Sequence, residues 1–234
     1  MLDLLYTPPY HKIVVIIPAY NEGTVLLSVI KEILLTGVVL IVVDDGSDIP
    51  LYQMLQPYPL YYIRHRANLG QGAALQTGFD FAKKLNPDMI VTMDADGQHH
   101  SSSIDSMIEP LLTNEADIVL GSRFLSPGQT FVPTMKKVVL HTARLINYIF
   151  SGLLLSDAHN GFRAFNATAL KKITITENRM AHASEILFEI KKHQLRIKEV
   201  PITISYTAYS KKKGQSIWDS VRILFDLILH KLFK

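Results

Sequence analysis

The chain has 234 residues, 48% apolar and 19% charged, which suffices for one sizeable core, is short for two independent domains and excludes a disordered chain. The absence of cysteine excludes disulfides and thiolate metal sites, and no apolar run reaches the roughly 18 to 20 residues needed to cross a bilayer. The formal charge of +3 conceals an asymmetry, because ten Lys/Arg stand against three Asp/Glu after residue 190, leaving an acidic body and a tail suited to an anionic surface.

Residues 1–9 lack the positive-then-apolar order of a signal peptide, so none is expected. Strands are expected at 13–17, 38–43, 61–64, 89–93 and 118–121, several of them apolar on both faces as buried parallel strands are. Helices are expected between them at 25–35, 73–85 and 104–112. The alternation predicts an α/β fold with a mainly parallel, Rossmann-like sheet covered by helices on both faces. Further on, 135–155 is expected to be helical, 156–163 a loop, 183–193 a helix and 199–206 strand-like. The lysine cluster Lys211-Lys212-Lys213 precedes a C-terminal amphipathic helix. In it Trp218, Val221, Leu224, Phe225, Ile228 and Leu232 share one face. The division is a body over 1–210 and a basic, helical extension over 211–234.

Ligands on such sheets bind at the carboxyl ends of the strands, and the polar clusters of this chain follow its strands. Pro18-Ala-Tyr-Asn-Glu22 follows the first, Asp44-Asp45-Gly46-Ser47 the second, Asp94-Ala95-Asp96 the fourth and Ser122-Arg123 the fifth. Two carboxylates two residues apart at a strand end can turn toward one hard cation, magnesium or manganese, which takes carboxylates plus substrate phosphates. Gln98 can add a neutral oxygen. An acid at Asp45 can accept from a ribose or a base, and Asn68-Leu-Gly70-Gln-Gly72 lets backbone approach phosphate at a helix start. His99, His100, His141, His159 and His182 include no zinc-protease spacing and are expected in hydrogen-bonded roles.

In order and spacing, these segments together with Gly121-Ser-Arg123 resemble the family 2 glycosyltransferases of the GT-A fold over residues 12 to 125. The finer likeness is to the dolichol- and polyprenyl-phosphate sugar synthases. It implies a metal, Mg2+ or Mn2+, held by Asp94, Asp96 and Gln98. It implies a UDP- or GDP-linked nucleotide-sugar held by Pro18, Ala19, Tyr20, Glu22, Val43, Asp45, Asn68, Gly70, Asp94, Ala95 and Asp96. Arg123 matches a phosphate-contacting arginine, and Asn160-Gly-Phe-Arg163-Ala-Phe165 is similar to a segment near the acceptor. Lys136, Lys211 and Ser216 match other acceptor-phosphate positions, with lysine where the family has arginine, so bidentate geometry is lost.

The resemblance implies an inverting displacement, with Asp96, Arg123 and Glu185 as the catalytic candidates. A polyprenyl phosphate acceptor is already an anion and calls for cations, for which Arg123, Lys136, Arg163 and Lys211 are available. A saccharide hydroxyl must lose a proton, and Glu185 stands where other family 2 enzymes place a base. Sugar nucleotidyltransferases also use paired aspartates, and a non-catalytic nucleotide-sugar-binding module is a further alternative. No nucleic-acid-binding module is visible. The expected setting is cytoplasmic, peripheral at the inner membrane face, reached through the terminal helix or a small membrane-protein partner.

Overall fold

The computed structural model describes residues 11–125, 148, 152–157, 160–179 and 181–205. The first strand, β1 (Ile13–Ala19), is followed by α1 (Thr24–Leu34), β2 (Val39–Asp44), the single turn α2 (Tyr52–Leu55) and β3 (Tyr61–Arg64). Then come α3 (Gln71–Lys84), β4 (Met89–Thr92), a 3-10 turn at Ser101–Ser103, α4 (Ile104–Leu112) and β5 (Ile118–Ser122). The remaining elements are β6 (Arg163–Asn166), α5 (Ala167–Lys172), α6 (His182–Lys192) and β7 (Ile197–Pro201).

The strands form one seven-stranded sheet in the order β3-β2-β1-β4-β6-β5-β7. Its pairs are parallel except those of β6, which runs antiparallel to both β4 and β5. Both faces are dry. Alternate residues of the central strands divide between two cores, as the two-residue period of a strand requires. Val15, Ile17, Leu40, Val42 and Val91 face α1 and α4, where Leu26, Val29, Ile30 and Ile33 supply a stripe at helical spacing. Val14, Ile16, Ile41, Val43 and Ile90 face α3, α5 and α6. There Phe79 of α3 meets Phe165 of β6 edge-on, with ring centroids 5.4 Å apart.

The first half follows the expected pattern, and the second half departs from it. Arg163 opens a strand where the loop was expected to end. The four-residue run Arg163–Asn166 is too short and too polar to read as a strand, yet it is held on both sides by neighbours. Residues 152–155 are not helical. Gly152 donates its N–H to the Tyr148 carbonyl at 2.8 Å and takes φ +72°, the left-handed conformation with which a glycine closes a helix. The strand expected over 199–206 begins earlier and stops at Pro201, leaving an isolated bridge between Ile204 and His99. The bulk of the expected 135–155 helix, and the C-terminal helix with its preceding lysines, lie outside the described residues.

Candidate active site

All strands except β6 end on the same rim, and β6 starts there. The rim is assembled from the ends of β1, β2, β4 and β5 and from the turn that leads into β6.

On one side, Pro18 and Ala19 close β1 and Val43 lies in β2, all three buried, while Tyr20 is 37% exposed and Glu22 half-buried. The two acids after Val43 have different tasks. Asp44 accepts from the N–H of Ser47 at 2.9 Å, the N–H of Leu51 at 3.2 Å and the Tyr62 hydroxyl at 2.6 Å. Arg64 pairs with it at 3.3 Å. Burial pushes the Asp44 carboxyl up, but the bonds from Ser47 and Tyr62 outweigh it and hold the group below its ordinary value. Asp45 grips the following turn. Its oxygens take the N–H groups of Leu69 at 3.0 Å and Gly70 at 2.7 Å, and Oδ1 meets His65 Nδ1 at 2.7 Å. Asn68 is exposed on that turn.

The turn delivers α3, whose first residue reaches the next cluster: Gln71 Nε2 donates to Asp94 Oδ1 at 2.9 Å. Asp96 accepts from the Gln98 N–H at 3.0 Å and also from the Gln98 side-chain amide. The amide therefore turns its nitrogen toward Asp96, and Gln98 must rotate that group before its oxygen can meet a cation. Burial pushes Asp96 up, and the neighbouring Asp94 charge adds to the shift. Ala95 is buried between them. Among the described residues no group of three or more His, Asp or Glu side chains is placed to hold a metal. Two crowded carboxylates with oxygen chemistry fit Mg2+ or Mn2+, provided phosphate and water complete the shell.

Across the rim, Arg123 follows β5. Its Nε and Nη2 donate to the two oxygens of Asp157 at 2.6 Å each, and its backbone N–H reaches Asp157 Oδ2 at 3.1 Å. Asp157 is buried, and Glu199 of β7 anchors its segment by accepting from the Ser156 N–H, the Ser156 hydroxyl and the Asp157 N–H. Between the two sides lies the turn before β6. Asn160 Oδ1 accepts from the Phe162 N–H at 2.9 Å and faces His99 Nε2 at 3.1 Å, while its amide approaches Asp157 at 3.4 Å. Arg163, expected among the acceptor-phosphate contacts, is only 3% exposed.

Glu185, at the start of α6, accepts from the N–H groups of Thr176 at 3.0 Å and Glu177 at 2.9 Å and from the Thr176 hydroxyl. It pins a loop that packs on α3, where Ala73 N–H donates to the Asn178 carbonyl at 3.2 Å. His99, His100 and His182 make hydrogen bonds to Asn160, Ser205 and the Arg179 carbonyl. Lys136, Lys211, Ser216, His141 and His159 lie outside the described residues. Gln71, Asp157 and Glu199 were not anticipated. Gln71 stands inside a motif already singled out, whereas Asp157 and Glu199 carry no local signal, because their partners are tens of residues away.

The glycosyl transferase family 2 profile matches residues 14–174, which include the ends of β1, β2, β4 and β5 and the turn before β6. The chain belongs to that family. Its relatives include the UDP-N-acetylglucosamine--dolichyl-phosphate N-acetylglucosaminyltransferase of Methanococcus voltae, 32% identical over 95% of this chain and 97% of the relative. The undecaprenyl-phosphate mannosyltransferase of Micrococcus luteus is 32% identical over 82% of this chain and 83% of its own length. Among solved structures, the glucosyl-3-phosphoglycerate synthase of Mycobacterium tuberculosis with bound UDP superposes with a TM-score of 0.65. That match covers 93% of this chain and 80% of the other at 18% identity, a likeness of fold. Membership of the family sets aside the nucleotidyltransferase alternative, and this glycosyltransferase carries its paired aspartates where the sheet presents them.

Proposed function

We propose that this glycosyltransferase moves a sugar from a UDP- or GDP-linked donor to a polyprenyl or dolichyl phosphate, with inversion and with Mg2+ or Mn2+. The observation that carries the reading is the split rim. Asp94 and Asp96 lie on one side of the Asn160–Arg163 turn and Arg123 on the other, while the Glu185 carboxylate is occupied by its own loop. An oxygen of the acceptor phosphate attacks the anomeric carbon, the bond from that carbon to the diphosphate oxygen breaks, and the nucleoside diphosphate leaves. No proton has to be removed, so no free base is required. A divalent cation at Asp94 and Asp96, when bound, offsets the charge gathering on the diphosphate. Arg123 steadies the acceptor phosphate with its guanidinium, and Asp157 fixes the direction of that fork. The names of the relatives from Methanococcus voltae and Micrococcus luteus, both lipid-phosphate transferases, support the same acceptor class.

The test is transfer of labelled sugar from a panel of UDP- and GDP-sugars to polyprenyl phosphate or, in parallel, to a soluble oligosaccharide. Product on the lipid phosphate, dependent on Mg2+ or Mn2+ and kept at a substantial level by Glu185→Gln, is the expected result. Product confined to the oligosaccharide and abolished by Glu185→Gln would replace this acceptor with a hydroxyl. Among the described residues no helix is long and apolar enough to cross a membrane. On this reading the basic extension 211–234 draws the enzyme to the anionic inner face, by itself or with a small membrane-protein partner. Recovery of the full chain in the supernatant from both anionic vesicles and native membranes would sink that placement.

A further inference from the structure

His65 carries an imidazole with both nitrogens engaged, and the reaction described above assigns it no task. Its position follows from topology. β3 pairs with β2, and the ladder continues one residue past the strand, where the His65 N–H donates to the Asp44 carbonyl at 2.9 Å. The ring therefore stands beside Asp45. Nδ1 lies 2.7 Å from Asp45 Oδ1, and Nε2 lies 2.8 Å from the hydroxyl of Thr77 on α3. The two side chains of the first contact are 11% and 4% exposed, so little water competes for it.

Asp45 is held from three directions. Its backbone N–H donates to the Ala19 carbonyl at the end of β1, at 2.8 Å. Oδ1 accepts from the Leu69 N–H and Oδ2 from the Gly70 N–H, which ties the carboxylate to the turn before α3. That turn is pressed against the residue after Asp45, since a Cβ built on Gly46 would stand 2.4 Å from the Ala67 carbonyl carbon. A carboxylate that takes backbone N–H groups is an acceptor, so His65 Nδ1 is the donor of the third bond. The Thr77 hydroxyl can rotate to donate to a neutral ring or accept from a charged one. Among the described residues two donors fill Oδ1 and one meets Oδ2, so of about four acceptor positions one remains, on Oδ2. α3 itself is fixed separately, because Ala74, Leu75 and Phe79 pack it into the core. The imidazole thus braces the Asp45 carboxylate against a helix that does not depend on that brace.

We propose that His65 is a positioning residue for the donor: relayed to Thr77, it fixes the rotation of the Asp45 carboxylate and so keeps the remaining Oδ2 position turned to the nucleoside. The inference rests on the proposed function, in whose donor site Asp45 stands. Two amide variants separate the arms of the relay. Counting bonds from Cα, the amide nitrogen of asparagine stands where Nδ1 stands, and that of glutamine where Nε2 stands. His65→Asn therefore keeps the bond to Asp45 and gives up the one to Thr77, while His65→Gln does the reverse.

The experiment measures binding of UDP and of GDP to the full chain by calorimetry with Mn2+ and no acceptor. Donor KM, kcat and thermal midpoints are recorded alongside. His65→Leu and His65→Gln should weaken binding of whichever nucleotide the wild type holds by about tenfold, the lower range for a hydrogen bond to a charged group. His65→Asn and Thr77→Val should each cost about threefold, as loss of a neutral hydrogen bond does. Their double variant should cost no more than either alone, because both remove the same bond. In transfer the donor KM should rise in the same order with kcat nearly constant, since the nucleoside is bound alike before and during reaction. Should His65→Leu fail to fold, the comparison of His65→Asn with His65→Gln decides by itself. Equal binding by these two variants, lower thermal midpoints with unchanged affinity, or a loss confined to kcat would overturn the proposal. A wild type that binds neither UDP nor GDP overturns it together with the proposed donor. Failure of polyprenyl phosphate as acceptor leaves the binding measurements intact, so the two failures are told apart.

Discussion

Replacing Asp96 by alanine is expected to lower kcat by at least about a hundredfold while leaving the protein folded. Metal stabilisation of transition-state charge is worth several kcal/mol, and each 1.36 kcal/mol is a factor of about ten in rate. The loss should fall on kcat and on kcat/KM alike, because the charge being neutralised develops as the diphosphate departs. The fold should not suffer, for a reason visible in the site. Burial, and then the nearby Asp94 charge, raise the Asp96 pKa, so its ionised form costs folding free energy at neutral pH. Removing it also removes a repulsion. The thermal midpoint of Asp96→Ala is therefore expected at or above the wild-type value, measured beside transfer with a titration of Mn2+. Wild-type turnover in the variant, or turnover indifferent to EDTA in the wild type, would show that Asp94 and Asp96 hold no catalytic cation.

How far the sequence discloses this site depends on how local each signal is. The ends of β1, β2, β4 and β5 were legible because an apolar run followed by acids or glycines is written within ten residues, and the sheet then gathers those ends on one rim. The order of the strands was not. Nothing in the run Arg163–Asn166 announces that it enters between β4 and β5 in the opposite sense, since four residues carry too few alternations to define a period. The consequence reaches the chemistry. Arg163 reads as one more acceptor cation until its neighbours are known, and is a buried residue between Thr92 of β4 and Leu120 of β5 once they are. Asp157 shows the same limit from the other direction. It sits in a loop with no motif of its own, and its importance comes from Arg123, 34 residues earlier, and from Glu199, 42 residues later. Glu185 was legible as an acid at a family position, but only the bonds from Thr176 and Glu177 show that its oxygens are already committed.

Gly161→Ala should be nearly as damaging to turnover as the loss of a metal ligand, although it adds a single methyl group. A Cβ built on Gly161 would stand 2.5 Å from both carboxylate oxygens of Asp94 and 2.8 Å from its Cγ, closer than side-chain carbons are found to such atoms. One of the two must move. The Gly161 backbone is poorly placed to retreat, because its carbonyl is bound by the Thr92 hydroxyl and the flanking turn is closed by the bond from the Phe162 N–H to Asn160. The Asp94 carboxylate is held by side chains alone, the Gln71 amide at 2.9 Å and the His99 ring at 3.9 Å, so the carboxylate is the part expected to give way. A displaced ligand is expected to lower metal-dependent turnover by about 10- to 100-fold, the range seen when groups that orient metal ligands are lost. Overpacking of this kind costs typically about 1 to 3 kcal/mol of stability, which a thermal melt will register without unfolding the protein. The discriminating measurement is the Mn2+ concentration for half-maximal transfer. A rise in that concentration for Gly161→Ala, with a folded protein and an unchanged acceptor KM, places the damage at Asp94. An unaltered Mn2+ requirement would mean that the turn yields instead, and that the close approach of Gly161 to Asp94 is not what shapes the metal site.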